Sequence, residues 1–179
     1  MDRRQQKTRR AIFQAFSRLL ERQRYDRITV GQIIDEANVG RSTFYAHFET
    51  KDMLLKALCE DMFYHIFEGD PCPWTGENQD LQGKLSHTLW HLRGSHSDVT
   101  RILTSDSAEL FMGYLRQNLT QIFRQFLPEF PARVPEDFLL HHLAGSFAET
   151  IRWWLREGMT TEPEAVAGYF LAAHGILAP

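Results

Sequence analysis

Apolar residues recur at helical spacing through most of the chain. Ile12, Phe13, Phe16, Leu19 and Leu20 form one stripe, with Arg9, Arg10, Gln14, Arg18 and Glu21 mostly elsewhere around the wheel. That periodicity predicts an amphipathic helix over 3–23, interrupted at Tyr25-Asp26. Thr29 followed by Gln32 reads as a capping box, in which hydroxyl and amide satisfy the free amides of a helix start. A short helix then runs to Ala37 and buries Ile33, Ile34 and Ala37. Asn38 suits a left-handed turn, Val39 plugs that turn, and a second short helix spans 40–46. Thr50 is the expected N-cap of a longer helix carrying Leu54, Leu55, Leu58 and Met62.

Further on, prolines and glycines at 69–76 and 128–135 predict loops. Helical patterns are expected at 81–93, 98–104 and 108–127. Pro135 fits a first helical position, with Glu136 and Asp137 complementing the positive helix end. That helix should run to Glu157 and stop at Gly158. Pro163, between Glu162 and Glu164, starts a last helix ending near Gly175. No strand pattern and no repeat interrupts the series, so the fold class is all-α. The expected organisation is a three-helix N-terminal domain over 1–56 and a C-terminal helical bundle over 57–179.

Charge sharpens this division. Residues 1–56 hold 12 Lys/Arg against 7 Asp/Glu, whereas residues 57–179 hold 8 against 16. The overall charge of −3 therefore hides a basic head on an acidic body, a distribution that keeps nucleic acid in view. Cys59 and Cys72 are too few for a disulfide framework and suit a reducing compartment. No apolar run reaches the roughly 20 residues of a membrane span, and MDRRQQKTRR lacks the apolar stretch of a signal peptide. The expected location is the cytoplasm.

Two short helices joined by a tight turn behind a longer supporting helix form the skeleton of a helix-turn-helix. Ile28, Val30, Ile33, Ala37, Val39, Phe44 and Phe48 can supply the apolar set that holds the second helix outward. Its exposed remainder is then Arg41, Ser42, Thr43, Tyr45 and Ala46, followed by His47. Arg offers bidentate donors to guanine, Ser and Thr bond bases or phosphate, and Tyr and His reach phosphate oxygens. Lys51 sits in the first turn of the next helix, where a cation opposes the helix dipole. A phosphate contact would reverse that penalty; a solvent-exposed lysine is the other reading.

The stretch TVGQIIDEANVGRSTFYAHFETKDMLL, Thr29 to Leu55, resembles the DNA-binding signature of the tetracycline-repressor (TetR) family. The resemblance covers about residues 8–56 and rests most specifically on STFYAHF followed by K-D-x-L. It implies that Tyr45, His47 and Lys51 grip phosphates, with Thr29 at the start of the preceding helix. Arg41, Ser42 and Thr43 would meet base edges or nearby backbone. The chain departs from the pattern at Asn38, where Gly is usual, at Gly40, often Ser, at Ile34, commonly Ala, and at Ala46, frequently aromatic. Ala46 removes one potential backbone contact. The resemblance further implies a regulatory body, a homodimer built by the last two long helices, a palindromic double-stranded operator, and a small-molecule effector that releases a repressor.

Within the body, Phe147, Ile151 and Trp154 share a stripe, as do Val166, Phe170 and Ala173; both stripes are expected at a dimer face, with monomer core as the competing assignment. Trp90, Phe111, Met112, Leu115 and Phe147 can line a ligand cavity, although such residues also serve as plain core. His87 and His91, four apart, have chelating spacing, but Thr88 stands where the H-E-x-x-H pattern needs Glu. His96, Asp98, His141 and His142 complete no matching pattern, so neither metal nor cofactor is expected. A glycine-rich phosphate loop, a G-x-S-x-G elbow and clustered cysteines are missing from the sequence, and no enzyme activity is expected. Two other classes compatible with the fold are an interaction adaptor and a metal- or small-molecule-binding helical protein. The basic head with Tyr45, His47 and Lys51 argues against the adaptor.

Overall fold

A computed structural model describes residues 3–68, 80–94, 99, 102–103, 108–127 and 134–175. Among them are eight α-helices and no strand: α1 (Arg3–Arg22), α2 (Val30–Ala37), α3 (Arg41–His47), α4 (Lys51–Glu68), α5 (Leu81–Gly94), α6 (Ala108–Gln125), α7 (Glu136–Arg156) and α8 (Pro163–Ala173). A 3-10 turn, Tyr25–Arg27, leads into α2. The expected loop over 69–76, most of that over 128–135, and His96 and Asp98 lie outside the described residues. No described helix is long and apolar enough to cross a membrane. The chain divides into two compact units, Met1–Glu60 with Ser95–Phe111, and Asp61–Gly94 with Met112–Pro179.

In the first unit the α1 stripe is buried as its spacing requires: Ile12, Phe13, Ala15, Phe16, Leu19 and Leu20. Phe16 meets Tyr25 edge-on at 6.0 Å between ring centres, and Phe13 packs on Phe48 at 5.7 Å. Ile28, Ile33, Phe44, Leu54 and Leu55 complete this core. Each such side chain contributes about 1.5–3 kcal/mol by leaving water. Val30, Ala37 and Val39, expected in the same set, are only half-buried. Arg18 and Arg22 clasp Glu36 across α1 and α2 at 2.6 and 3.4 Å. Cys59 is buried, and burial pushes its thiol up to about 12, so it is inert to thiolate chemistry at neutral pH.

The second unit is organised around α5, which is covered on most of its circumference: Leu81, Leu85, Ser86, His87, Thr88, Leu89 and Leu92 are all buried. One side packs on α8, where the Trp90 indole donates to Glu164 at 2.7 Å and Arg93 donates to Glu162 at 2.8 Å. The turn between α7 and α8 is a Schellman motif. Gly158 and Met159 both take positive φ, 69° and 54°, and their amides return to Leu155 and Trp154. Trp154 then donates its indole N–H to the Thr161 carbonyl at 2.8 Å. Pro163 opens α8 at its first helical position, where its missing N–H has no helical acceptor to lose.

Most residues of the expected dimer stripe are buried within the single chain. Phe147, Ile151, Trp154 and Val166 are fully buried and Phe170 is 3% exposed within the single chain. Phe147 meets Phe170 at 4.9 Å and Phe123 at 6.3 Å, so α6, α7 and α8 use these residues to hold each other. Of the six, only Ala173 faces solvent. The outward sides of α7 and α8 instead carry Phe138, Trp153 and Tyr169, exposed by 58, 44 and 59%.

Candidate nucleic-acid interface

The turn between α2 and α3 is built from backbone geometry. Thr29 Oγ1 accepts from the Gln32 amide at 3.2 Å, while the Gln32 side chain accepts from the Thr29 amide at 2.8 Å. This closes the capping box and fixes where α2 begins. Asn38 ends it in the left-handed region, φ 51° and ψ 49°, and the Asn38 and Val39 amides return to Asp35 and Ile34. Gly40 then caps α3 in extended conformation, with no side-chain bond.

Phe44 anchors α3. It is fully buried, packs on Phe48 at 6.0 Å, and meets the Tyr45 ring edge-on at 5.6 Å. With that side of the helix committed, Arg41, Ser42, Thr43, Tyr45 and Ala46 are left exposed, and His47 is half-buried. Thr29 is exposed at the start of α2. Seven helical residues extend about 10 Å, a short rod that fits a DNA major groove about 12 Å wide.

Lys51 makes contacts that neither sequence-based reading named. Its ammonium turns inward and donates to the Tyr25 and Ile28 carbonyls, each at 2.8 Å. It also lies 4.2 Å above the Tyr25 ring, a cation–π arrangement. The Tyr25 hydroxyl donates to Asp52, the residue after Lys51. Burial holds the Lys51 ammonium below the usual lysine range, opposed by the neighbouring charges of Asp52 and Asp26. Two of its three N–H donors are thus used to fasten the start of α4 to the turn that launches α2.

The first unit also carries basic residues on α1. Arg3, Lys7 and Arg10 are exposed. Arg9 lies over the Phe13 and Phe48 rings at 5.0 and 5.6 Å. Their signals in the sequence were the basic opening run and the place of Arg9 and Arg10 off the apolar stripe.

The five residues expected to line a ligand cavity are drawn from both units. Met112, Leu115 and Phe147 are fully buried in the second unit. Trp90 is half-buried and bonded to Glu164. Phe111, also buried, belongs to the first unit.

A buried three-helix base presenting a short polar helix defines a helix-turn-helix DNA-binding protein. Comparison with known proteins gives the family. Residues 10–58 match the model of bacterial regulatory proteins of the tetR family, and residues 79–172 match a transcriptional regulator C-terminal region. A TetR transcriptional regulator from Streptococcus agalactiae 2603V superposes with a TM-score of 0.73 at 37% identity, over 99% of this chain and 97% of that one. The chain belongs to the TetR family of transcriptional regulators.

Two curated relatives match over shorter stretches. The dhaKLM operon transcriptional activator DhaS of Lactococcus lactis is 31% identical over 86 residues, 48% of this chain and 42% of that protein. The HTH-type regulator YxbF of Bacillus subtilis is 37% identical over 71 residues, 37% of this chain and 19% of that protein. The chain thus spans less than half the length of either curated relative.

Proposed function

We propose that this regulator is a cytoplasmic homodimer that represses transcription from a palindromic double-stranded operator and is released by a small-molecule effector. The reading rests on one observation above all: α3 stands on a buried Phe44 with Arg41, Ser42, Thr43 and Tyr45 turned to solvent. In this proposal Arg41, Ser42 and Thr43 address base edges and nearby backbone, while Thr29, Tyr45 and His47 hold phosphates. Lys51 supports them from behind, and its third N–H is left for a phosphate oxygen. Residues 1–56 act as the reading head and 57–179 as the regulatory and dimerisation body, with no catalytic role.

Pairing is assigned to the exposed sides of α7 and α8, through Phe138, His142 and Trp153 on the first and Tyr169, Ala172 and Ala173 on the second. Two such helices and their symmetry mates make a four-helix bundle. Effector binding is assigned to the second unit, near Met112, Leu115 and Phe147. It shifts the population toward a dimer whose heads no longer match successive grooves, by no more than its preference between the two states. The likeness to DhaS, described as an activator, supports activation as a second reading, because the same docking serves either sign.

Selection of bound genomic fragments with purified protein tests the operator claim: a symmetric motif is expected. Transcription in vitro from the selected promoter then gives the sign. Absence of any enriched sequence contradicts the proposal.

A further inference from the structure

Ser86, His87 and Thr88 are the buried polar side chains of the described residues, and they sit together on α5. Thr88 satisfies its hydroxyl on the Lys84 carbonyl at 2.9 Å. His87 does something else. Its Nε2 faces the Nε2 of His91 at 2.9 Å, with the two rings 4.7 Å apart between centres and inclined by 51°.

We propose that His87 and His91 chelate a divalent late transition-metal ion, Cu(II), Ni(II) or Zn(II), through these two nitrogens. Two nitrogens each about 2.0–2.1 Å from one ion lie about 2.9 Å apart when they subtend a right angle, and about 3.3 Å apart at the tetrahedral angle. The spacing is therefore already the bite of a tetragonal site and is a few tenths of an ångström short of a tetrahedral one. Helical register alone does not provide this, because side chains four apart can splay; here the two nitrogens approach to 2.9 Å.

Without metal the pair holds one proton between its nitrogens, one ring donating Nε2–H and the other accepting. Binding requires both rings as Nδ1–H tautomers, so one proton moves from Nε2 to Nδ1 of the same ring and none is released overall. Among the described residues no third His, Cys, Asp or Glu joins the pair. In this proposal the ion takes its remaining ligands from water on the side of the half-buried His91. Two imidazoles and water give a site of intermediate affinity, with the order Cu(II) above Ni(II) and Zn(II). Sequence spacing pointed to these residues; the approach of their nitrogens carries the site.

The test uses the full, tag-free chain titrated with CuSO4, NiCl2 and ZnCl2 by calorimetry, with the Cu(II) form examined by electron paramagnetic resonance. One ion per chain is expected, with a nitrogen coupling pattern from two imidazoles. His91→Ala should weaken binding by about tenfold or more, since even outer partners of metal ligands contribute 10–100-fold. His91→Asn, which keeps a polar side chain there, should do the same and serves if the alanine variant loses helicity. The exposed His141 is the control: His141→Ala should retain the site. Unchanged binding in a folded His91 variant, or loss in the His141 variant instead, overturns the proposal. DNA binding enters neither readout, so the outcome is independent of the operator assignment.

Discussion

The ammonium of Lys51 donates to the backbone carbonyl of Tyr25 at 2.8 Å and lies over the ring of that same residue. One cation thereby ties the first turn of α4 to the 3-10 turn before α2, and the second bond, to Ile28, fixes the strand of chain that delivers Thr29. Lys51→Ala should destabilise the protein by about 1.5–3 kcal/mol, the range for hydrogen bonds to a charged group. Thermal melting measures that loss. Because its third N–H is assigned to a phosphate oxygen, the salt slope of operator binding should also fall by about one unit. Unchanged melting would contradict the fastening role, and an unchanged salt slope would contradict the phosphate contact.

Asn38 holds the turn between α2 and α3 at positive φ. Asn tolerates this region through its short polar side chain, and a β-branched residue does not. Asn38→Val should cost about 1–2 kcal/mol, whereas Asn38→Gly should be neutral or stabilising. Denaturant unfolding of the pair decides; equal stability of both variants would show that the turn is not under this constraint.

Glu36 links the supporting helix to the reading pair. Its hydrogen bond from Arg18 leads the effects that hold its carboxyl below 4.5, with Arg22 adding attraction and desolvation opposing. A depressed carboxylate stabilises the fold fully above the unfolded value and loses that contribution as pH falls through the folded one. The native protein should therefore lose stability on acidification below about pH 4.5, the unshifted carboxylate value. Glu36→Gln should show a shallower loss over the same window in melts recorded from pH 6 to 3.

The buried and exposed sides of α7 make opposite predictions at adjacent residues. Trp154→Ala removes a fully buried indole and its bond to Thr161, and should destabilise the chain by about 3–5 kcal/mol. Trp153→Glu with Tyr169→Glu should leave the subunit folded but dissociate the dimer, seen by sedimentation. A folded variant that stays dimeric would move the interface elsewhere.

Much of this was legible in the residues, and the failures have physical causes. Thr29 with Gln32, Asn38, Pro163 and Gly158 act through local backbone chemistry, so their types announced helix starts and turns. The α1 stripe was readable because its other side is charged. In α7 and α8 both sides carry apolar residues, as Trp153 and Trp154 show, so periodicity finds stripes without saying which meets its own chain. The fastening by Lys51 was not legible because its acceptors are main-chain carbonyls more than twenty residues earlier. His87 and His91 were visible as a spacing, but spacing carries no information on where two rings turn.

The most direct test of the central claim is base-by-base operator affinity of Arg41→Ala, alongside Thr43→Ala, at fixed salt. The outward α3 predicts that Arg41→Ala costs about 1–3 kcal/mol and loses discrimination at one base pair in each half-site, with half-sites about 34–36 Å apart. Native affinity and unchanged base preference in both variants would contradict it.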